Sequence, residues 1–298
     1  MKLGELIKSG RASESFPMLL ARPTDVCWER NDQGGRNLVV ALDENTDMIT
    51  GKEEDRAHFA AFDKEWIDDR VREGADRIAD SQHPLRYVTS DIYLIIATLD
   101  DMSFLASVYR DIPLRGWLGF GGHPLRLEEL FNPLSLALRE LSEELLIASG
   151  KEVFYIRDLS EEQLQENIGL WRLRDKNVVP LDAKRISVTK DNLVVKAINR
   201  AETTSGALIG MTTDWYGTIF PSHVVRVDVP VPFADLQLYD CETAGPGGRM
   251  LNRPVRLMGP DGRLEAIFSS GQNVISAGWN TDDAARAATL AMKAMAGM

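Results

Sequence analysis

The sequence predicts a protein of mixed α and β structure, and two observations lead to this. Segments whose apolar residues recur at steps of three and four, typical of amphipathic helices, alternate with short apolar runs bounded by turn residues, typical of strands. Among the 298 residues, 44% are hydrophobic and 27% are charged. This composition is that of ordinary globular proteins and excludes collagen-like, coiled-coil and wholly disordered chains. Its length suits one large or two small domains.

The first predicted elements are a strand and a long helix. Residues 37–42 form a short apolar run after a turn-prone Asn-Asp-Gln-Gly-Gly segment, so we expect a strand there. From residue 53 to about residue 79, an apolar stripe at helical spacing predicts an amphipathic helix that packs in a core. The stripe consists of Phe59, Phe62, Trp66, Ile67, Val71, Ala75 and Ile78.

A connecting segment, residues 81–86, then suggests a domain boundary. We expect residues 1–85 to be an N-terminal extension or small subdomain, followed by the main domain over residues 86–298. The main domain begins with a predicted β-hairpin, because two strand-like runs flank the turn-rich Thr98-Leu99-Asp100-Asp101. Those runs are residues 91–97 and 103–109.

The remainder of the chain is mainly strand-like. Ser160-Glu161-Glu162 is typical of a helix start, and Asn280-Thr281-Asp282-Asp283 predicts a closing helix that runs to about residue 296. Strands are expected near residues 153–156, 185–198, 208–220, 224–231, 236–241 and 264–268.

Charge and cysteine content exclude several classes of protein. The 34 Lys and Arg residues against 45 Asp and Glu residues give a net charge of -11, the wrong sign for a dedicated binder of nucleic acid duplexes. The two cysteines, Cys27 and Cys241, exclude a disulfide scaffold and a four-thiolate zinc site. No apolar run reaches the ~18 residues of a membrane span. The first residues do not resemble a secretory signal, so we expect a cytoplasmic protein.

A helix with clustered carboxylates is the most informative segment. Asn132-Pro133 is a typical helix opening, and an apolar stripe follows it, so we expect a helix from Pro133 to about Ser149. At ~100° per residue, Glu143 and Glu144 lie at roughly -60° and +40° from Glu140. The three carboxylates therefore share an arc of roughly 100° on one side of the helix.

These carboxylates repel one another, and Arg139 balances only part of their charge through its i,i+4 relation to Glu143. Clustered carboxylates are hard oxygen ligands, and Mg²⁺ typically binds a few of them together with water and phosphate oxygens. Glycines shortly before the helix, at positions 119, 121 and 122, allow the backbone to approach a ligand closely. The pattern predicts a magnesium site that handles phosphate.

The segment resembles the signature of the Nudix hydrolases, Gly-x5-Glu-x7-Arg-Glu-U-x-Glu-Glu-x-Gly-U, in which U is aliphatic. Residues 139–147, Arg-Glu-Leu-Ser-Glu-Glu-Leu-Leu-Ile, match its second half except that Leu146 replaces the glycine. Residues 117–122, Trp-Leu-Gly-Phe-Gly-Gly, are similar to the Trp-x-x-Pro-Gly-Gly that often precedes it. Besides the leucine at position 146, the segment differs from the signature by an insertion of three residues between Glu128 and Arg139, which we place in the loop before the helix.

The resemblance implies a fold and an activity. The fold would be a Nudix-type α/β/α sandwich around a mixed β-sheet, with an N-terminal extension and an enlarged C-terminal half. The activity would be that of a pyrophosphohydrolase, a hydrolase acting on acid anhydrides. With Mg²⁺ or Mn²⁺, it would cleave a pyrophosphate bond in a nucleoside diphosphate linked to another moiety, as in a nucleotide, a nucleotide sugar or an ADP-ribose-like substrate.

The resemblance also implies roles for individual residues. Glu140, Glu143 and Glu144 would bind the metal together with the Gly121 carbonyl, and Arg139 would orient Glu140. Glu144, or a glutamate from a later loop, would be the general base. The later-loop candidates for the general base are Glu202 and Glu242. The candidates for substrate contact are these two glutamates together with Gly122, His123 and Glu128.

Two alternatives remain open at this point. A Nudix-like module could bind a nucleotide for regulation without turnover. The clustered carboxylates favour catalysis over this alternative, whereas Leu146 and the three-residue insertion are compatible with it. A prenyl diphosphate isomerase on the same fold would want a cysteine in a recognisable context, which neither Cys27 nor Cys241 offers. The chain is also longer than a minimal Nudix domain, so we expect its extra segments to form a homodimer interface or a substrate lid.

Overall fold

The computed structural model describes residues 1–16, 19–50, 87–88, 90–110, 116–157, 159–198, 203–204, 210–213, 218–243 and 250–273. These residues form helices and strands in nearly every segment, so the predicted mixed α and β class is confirmed. The chain divides into two units, each built from three segments. The first unit contains Met1–Asp91, Gly121–Ala137 and Ser187–His223, and the second contains Ile92–Phe120, Leu138–Ile186 and Val224–Met298.

Strands outnumber helices along the described residues. In chain order, the α-helices are α1 (Leu3–Lys8), α2 (Leu127–Phe131), α3 (Pro133–Glu144) and α4 (Glu161–Leu170). The strands are β1 (Leu20–Arg22), β2 (Asp25–Arg30), β3 (Arg36–Leu42), β4 (Asp47–Ile49), β5 (Tyr87–Val88), β6 (Ser90–Ala97), β7 (Ser103–Arg110), β8 (Gly116–Leu118), β9 (Phe120–Gly122), β10 (Leu145–Ser149), β11 (Glu152–Ile156), β12 (Asn177–Leu181), β13 (Ala183–Arg185), β14 (Asn192–Ala197), β15 (Thr203–Thr204), β16 (Gly210–Thr213), β17 (Thr218–Asp228), β18 (Gln237–Asp240), β19 (Val255–Met258), β20 (Leu264–Ser269) and β21 (Gln272–Asn273).

The first unit is built on a four-stranded sheet in the order β15-β14-β3-β2. Strands β3 and β14 are parallel and the other two pairs are antiparallel. The apolar residues of β3 alternate towards a core that α1 and α2 complete. Its buried members include Leu3, Leu6, Leu38, Val40, Leu127, Leu130 and Leu193.

The second unit contains the sheet that matters for the site, with the strand order β12-β11-β10-β18. Strand β10 lies in the middle and pairs antiparallel with β11 and with β18. Helix α4 packs on this sheet through Leu164 and Ile168. The same core buries Leu146, Val153 and Tyr239, so the strands beside the site are anchored by apolar side chains on one face.

Several predicted elements are confirmed. Strand β3 occupies the run predicted at residues 37–42, and β6 pairs with β7 as the expected hairpin, with Ala97 opposite Ser103. Helix α4 begins at Glu161, and the Ser160 hydroxyl accepts a hydrogen bond from the Gln163 N–H, as an N-cap does. The helices predicted at residues 53–79 and from residue 280 lie outside the described residues, and the boundary near residue 85 stays a prediction.

The predicted end of the signature helix is wrong. Helix α3 begins at Pro133 as expected but stops at Glu144, and residues expected to continue it form β10 instead. Leu145, Leu146, Ile147 and Ala148 are all buried and pair with β18, and Ile147 and Ala148 also pair with β11. A short run that is apolar on every face suits the interior of a sheet, which helical periodicity does not reveal. Gly150 adopts a φ of 42° between β10 and β11.

Among the residues that the structure describes, no helix is both long enough and apolar enough to cross a membrane.

Candidate functional site

Helix α3 places its glutamates together on a side that is largely buried. Leu136, which is fully buried, lies four residues before Glu140 and therefore on the same side of the helix. That side carries Glu140 and Glu143, whose side chains are 14% and 35% exposed. Glu144 is the last residue of the helix and is only 3% exposed. About one turn of the helix therefore carries three carboxylates whose side chains differ in their exposure to solvent.

Arg139 forms ion pairs with two of these carboxylates. One guanidinium nitrogen lies 2.8 Å from Glu140 and another lies 2.8 Å from Glu143. Since Arg139 is itself only 16% exposed, both carboxylates are held by a largely enclosed cation. The end of the helix is fixed as well, because the Asn167 side chain donates a hydrogen bond to the Glu143 carbonyl.

Strand β18 brings two further carboxylates to the end of this helix. Asp240 lies opposite Leu145 in the pairing of β18 with β10, and the Cys241 N–H donates to the Glu144 carbonyl at 2.7 Å. Asp240 is fully buried, and Glu242, two residues further on, is 31% exposed. Antiparallel pairing thus sets a residue far along the chain beside the last glutamate of α3.

A second arginine, Arg253, joins these carboxylates. Its Nε and Nη2 donate to Asp240 Oδ1 at 3.0 and 2.7 Å, and its backbone N–H donates to Oδ2 at 2.6 Å. The same Nη2 lies 3.3 Å from Glu144 Oε1 and 3.6 Å from Glu242 Oε2. Neither Arg253 nor Asp240 is a candidate from the sequence, because both lie outside the resemblance and no local spacing links them to the helix.

The crowding of carboxylates changes their protonation. Burial raises the pKa of Glu140 to about 7, the charges of Glu144 and Glu143 add to this, and Arg139 opposes it. Burial also raises the pKa of Glu242 to about 8, together with a hydrogen bond to Glu144 and the charge of Glu144, while Arg253 opposes the shift. Two acidic groups of this site therefore gain protons close to neutral pH.

The donor set of this site consists of carboxylate oxygens and carries an excess of negative charge. Its oxygen ligands are of the hard type that Mg²⁺ and Mn²⁺ prefer, and its excess of negative charge favours a cation. Within the part of the chain that the structure describes, however, no group of three or more His, Cys, Asp or Glu side chains converges as a metal site does. The carboxylates point at Arg139 and Arg253 instead.

Gly121, Gly122 and the residues that follow them belong to the first unit, whereas Gly119 belongs to the second. A Cβ atom on Gly121 would lie 2.3 Å from the Ser90 carbonyl oxygen, so this glycine is required by the close passage of another backbone segment. Gly122 ends β9, and His123 follows it half-buried. Glu128 is exposed on α2, whereas its neighbour Glu129 is buried. Of the later-loop candidates, Glu242 lies beside Glu144 and Glu202 lies outside the described residues.

Comparisons of this chain with known proteins identify no relative. No family model, no curated protein and no solved structure matches this chain significantly. The resemblance to Nudix hydrolases therefore depends on the residues of the signature and its glycine segment alone.

Proposed function

We propose that this protein is a metal-dependent pyrophosphohydrolase of the Nudix type. It would cleave a pyrophosphate bond in a nucleoside diphosphate linked to another moiety. The observation that carries the proposal is the position of Glu242, a residue nominated as general base from the sequence, whose carboxylate lies 3.6 Å from the same Arg253 nitrogen that lies 3.3 Å from Glu144 of the signature helix. Two acidic residues far apart in the chain meet at one place, as an acid–base site requires.

The signature glutamates are the proposed metal ligands. Glu140, Glu143 and Glu144 would hold Mg²⁺ or Mn²⁺. Such an ion would neutralise the charge of a diphosphate and lower the pKa of a bound water. Since the carboxylates are engaged with arginines, they must exchange part of these ion pairs for the ion.

The remaining residues supply orientation and proton transfer. Arg139 fixes Glu140 and Glu143 through its two ion pairs. Glu242, with its raised pKa of about 8, would accept a proton from the attacking water as a new P–O bond forms and the anhydride P–O bond breaks. A carboxylate whose pKa lies near the working pH combines sufficient basicity with a substantial ionised fraction.

A substrate panel tests the proposal directly. Nucleoside triphosphates, ADP-ribose, NAD(H), nucleotide sugars and dinucleoside polyphosphates would be incubated with Mg²⁺ or with EDTA, and mononucleotide and phosphate release measured. We expect one class to be cleaved only with Mg²⁺, and Glu144→Gln to lose the cleavage. The matched control is Glu162→Gln, which changes an exposed glutamate on α4 and should keep full activity. Cleavage of no substrate contradicts the proposal.

A regulatory nucleotide-binding module is the second candidate. The observation that favours it is the absence, across the described residues, of a converging three-ligand metal group. A binding module of this kind would be recognised by a nucleotide that raises the melting temperature of the protein but is not cleaved in the presence of Mg²⁺. The isomerase alternative gains no support from Cys241, whose thiol is buried and whose pKa burial raises. The homodimer interface, the substrate lid and the cytoplasmic location stay predictions.

A further inference from the structure

Asp240 is the most enclosed charged group of the site. Its side chain is fully buried at the end of β18, and its carboxylate accepts hydrogen bonds from the backbone N–H and two guanidinium nitrogens of Arg253. A buried carboxylate is costly unless a counter-charge and hydrogen bonds stabilise it. Asp240 therefore anchors Arg253, whose side chain is only 10% exposed, in one position.

The anchored guanidinium also faces the two acidic groups of the proposed reaction. Nη2 of Arg253 lies 2.7 Å from Asp240, 3.3 Å from Glu144 and 3.6 Å from Glu242. A guanidinium nitrogen of this type carries two hydrogens, which is fewer than the three carboxylates around it. Towards Glu144 and Glu242, then, Arg253 acts mainly through its charge.

We propose that Arg253 is an internal counter-cation of this site: anchored by Asp240, it holds Glu144 and Glu242 together without a metal and competes with a divalent cation for them. The inference rests on the proposed function, because it concerns the same carboxylates. It makes Arg253 a positioning residue that acts through Glu144 and Glu242. It also makes the metal affinity of the site a property that Arg253 sets.

A counter-cation and a purely structural arginine differ in what the loss of their charge does to the site. If Arg253 is a counter-cation, its removal leaves the carboxylates with more uncompensated negative charge, so a divalent cation binds them more tightly. If Arg253 only supports the fold, its removal disorders the carboxylates and the cation binds more weakly. The two roles thus predict opposite changes in the affinity for Mn²⁺.

The experiment compares wild type, Arg253→Gln and Arg253→Lys, with Arg226→Gln as the matched control. Arg226 pairs with Asp228, and its side chain is 31% exposed. Melting temperatures would be measured in EDTA and in excess MnCl₂, and Mn²⁺ affinity by electron paramagnetic resonance of the free ion. In EDTA, we expect Arg253→Gln to melt on the order of 10 °C below wild type.

Manganese should then restore most of that loss, and Arg253→Gln should bind Mn²⁺ about tenfold more tightly than wild type. Arg253→Lys keeps the charge but not the forked geometry, so its affinity should lie between the two. The control should match wild type in its affinity and in its response to Mn²⁺.

Equal or weaker Mn²⁺ binding by Arg253→Gln overturns the inference, as does a loss of melting temperature that Mn²⁺ does not restore. If Arg253→Gln does not fold, Arg253→Lys decides by the same criterion. Failure of the proposed function looks different, since wild type would then cleave no substrate with Mn²⁺ while the change in affinity could still be observed. Cleavage by wild type with no gain of affinity in the variants would overturn the inference alone.

Discussion

Glu143 and Glu144 are adjacent in sequence but lie in different surroundings. Glu143 is 35% exposed and pairs with Arg139, whereas Glu144 is 3% exposed and lies beside Arg253 and Glu242. A substitution at either position removes a proposed metal ligand. The effect on stability differs, because Glu144 shares its enclosed space with the side chain of Glu242.

Glu143→Gln should therefore separate activity from stability. We expect turnover with Mg²⁺ to fall on the order of 100-fold, equivalent to about 3 kcal/mol in the barrier, because a proposed ligand loses its charge. The free energy of unfolding should change by less than ~1 kcal/mol, since the pair with Arg139 is partly exposed. Steady-state kinetics and urea unfolding measure the two quantities. Near-normal turnover would remove Glu143 from the proposed ligands.

At the scale of single elements, strand β10 shows how far the structure departs from the resemblance. The Nudix signature has glycine where this chain has Leu146, and the structure buries Leu146 completely in a central strand. Leu146 lies opposite Tyr239 of β18, which pairs the strand that follows the helix with the strand that carries Asp240. The leucine therefore supports the strand pairing beside the site.

Restoring the signature glycine should consequently harm the protein. We expect Leu146→Gly to lower the free energy of unfolding by at least ~3 kcal/mol, because it removes a buried side chain and adds a flexible residue to a strand. Denaturant unfolding monitored by circular dichroism measures this. Leu99→Gly, at a position whose side chain is 67% exposed, serves as the control and should cost much less. Equal stability of Leu146→Gly and wild type would contradict the buried strand.

Helix α4 gives a smaller test at the same scale. The Ser160 hydroxyl accepts a hydrogen bond from the Gln163 N–H at the start of the helix, so Ser160→Ala leaves that N–H without its cap. We expect a loss of ~1 kcal/mol in the free energy of unfolding, measured by urea unfolding, and recovery of much of it in Ser160→Asp. No difference between the alanine and aspartate variants would argue against the cap.

At the scale of the whole molecule, the crowded acidic site makes stability depend on pH. The pKa values of Glu140 and Glu242 are raised to about 7 and about 8, above the ~4.3 of an unfolded glutamate. The folded state binds their protons more tightly, so their stabilising contribution is complete below pH ~4.3 and is lost as the pH rises through 7 and 8. Acidic groups with lowered pKa values, such as Asp228, act below this window.

In EDTA, the melting temperature should therefore fall as the pH is raised from about 5.5 to about 8.5. The variant with both Glu140→Gln and Glu242→Gln should lose most of this dependence, and differential scanning calorimetry across the pH range would show it. Excess Mg²⁺ should also flatten the curve, because an ion bound to these carboxylates replaces the protons. A melting temperature that does not change with pH in EDTA would contradict the raised pKa values.

Local patterns in the sequence were sufficient for much of the structure. The start of α3 at Pro133, the cap at Ser160 and the hairpin of β6 and β7 follow from neighbouring residues, so the sequence predicts them. The sharing of one helix side by three glutamates depends only on their spacing. Such features can be predicted without knowing which distant segments pack nearby, because the interactions that stabilise them lie within a few turns of helix or across one tight β-turn.

The end of α3 and the neighbours of its glutamates depend on distant segments instead. Residues 145–149 become a strand because β11 and β18 offer partners on both sides, and that pairing carries Asp240 and Glu242 to Glu144. Arg253 then enters because a fully buried Asp240 requires a cation. These contacts join residues far apart in the chain, and their energies arise from burial and strand pairing, which no local spacing of residue types records.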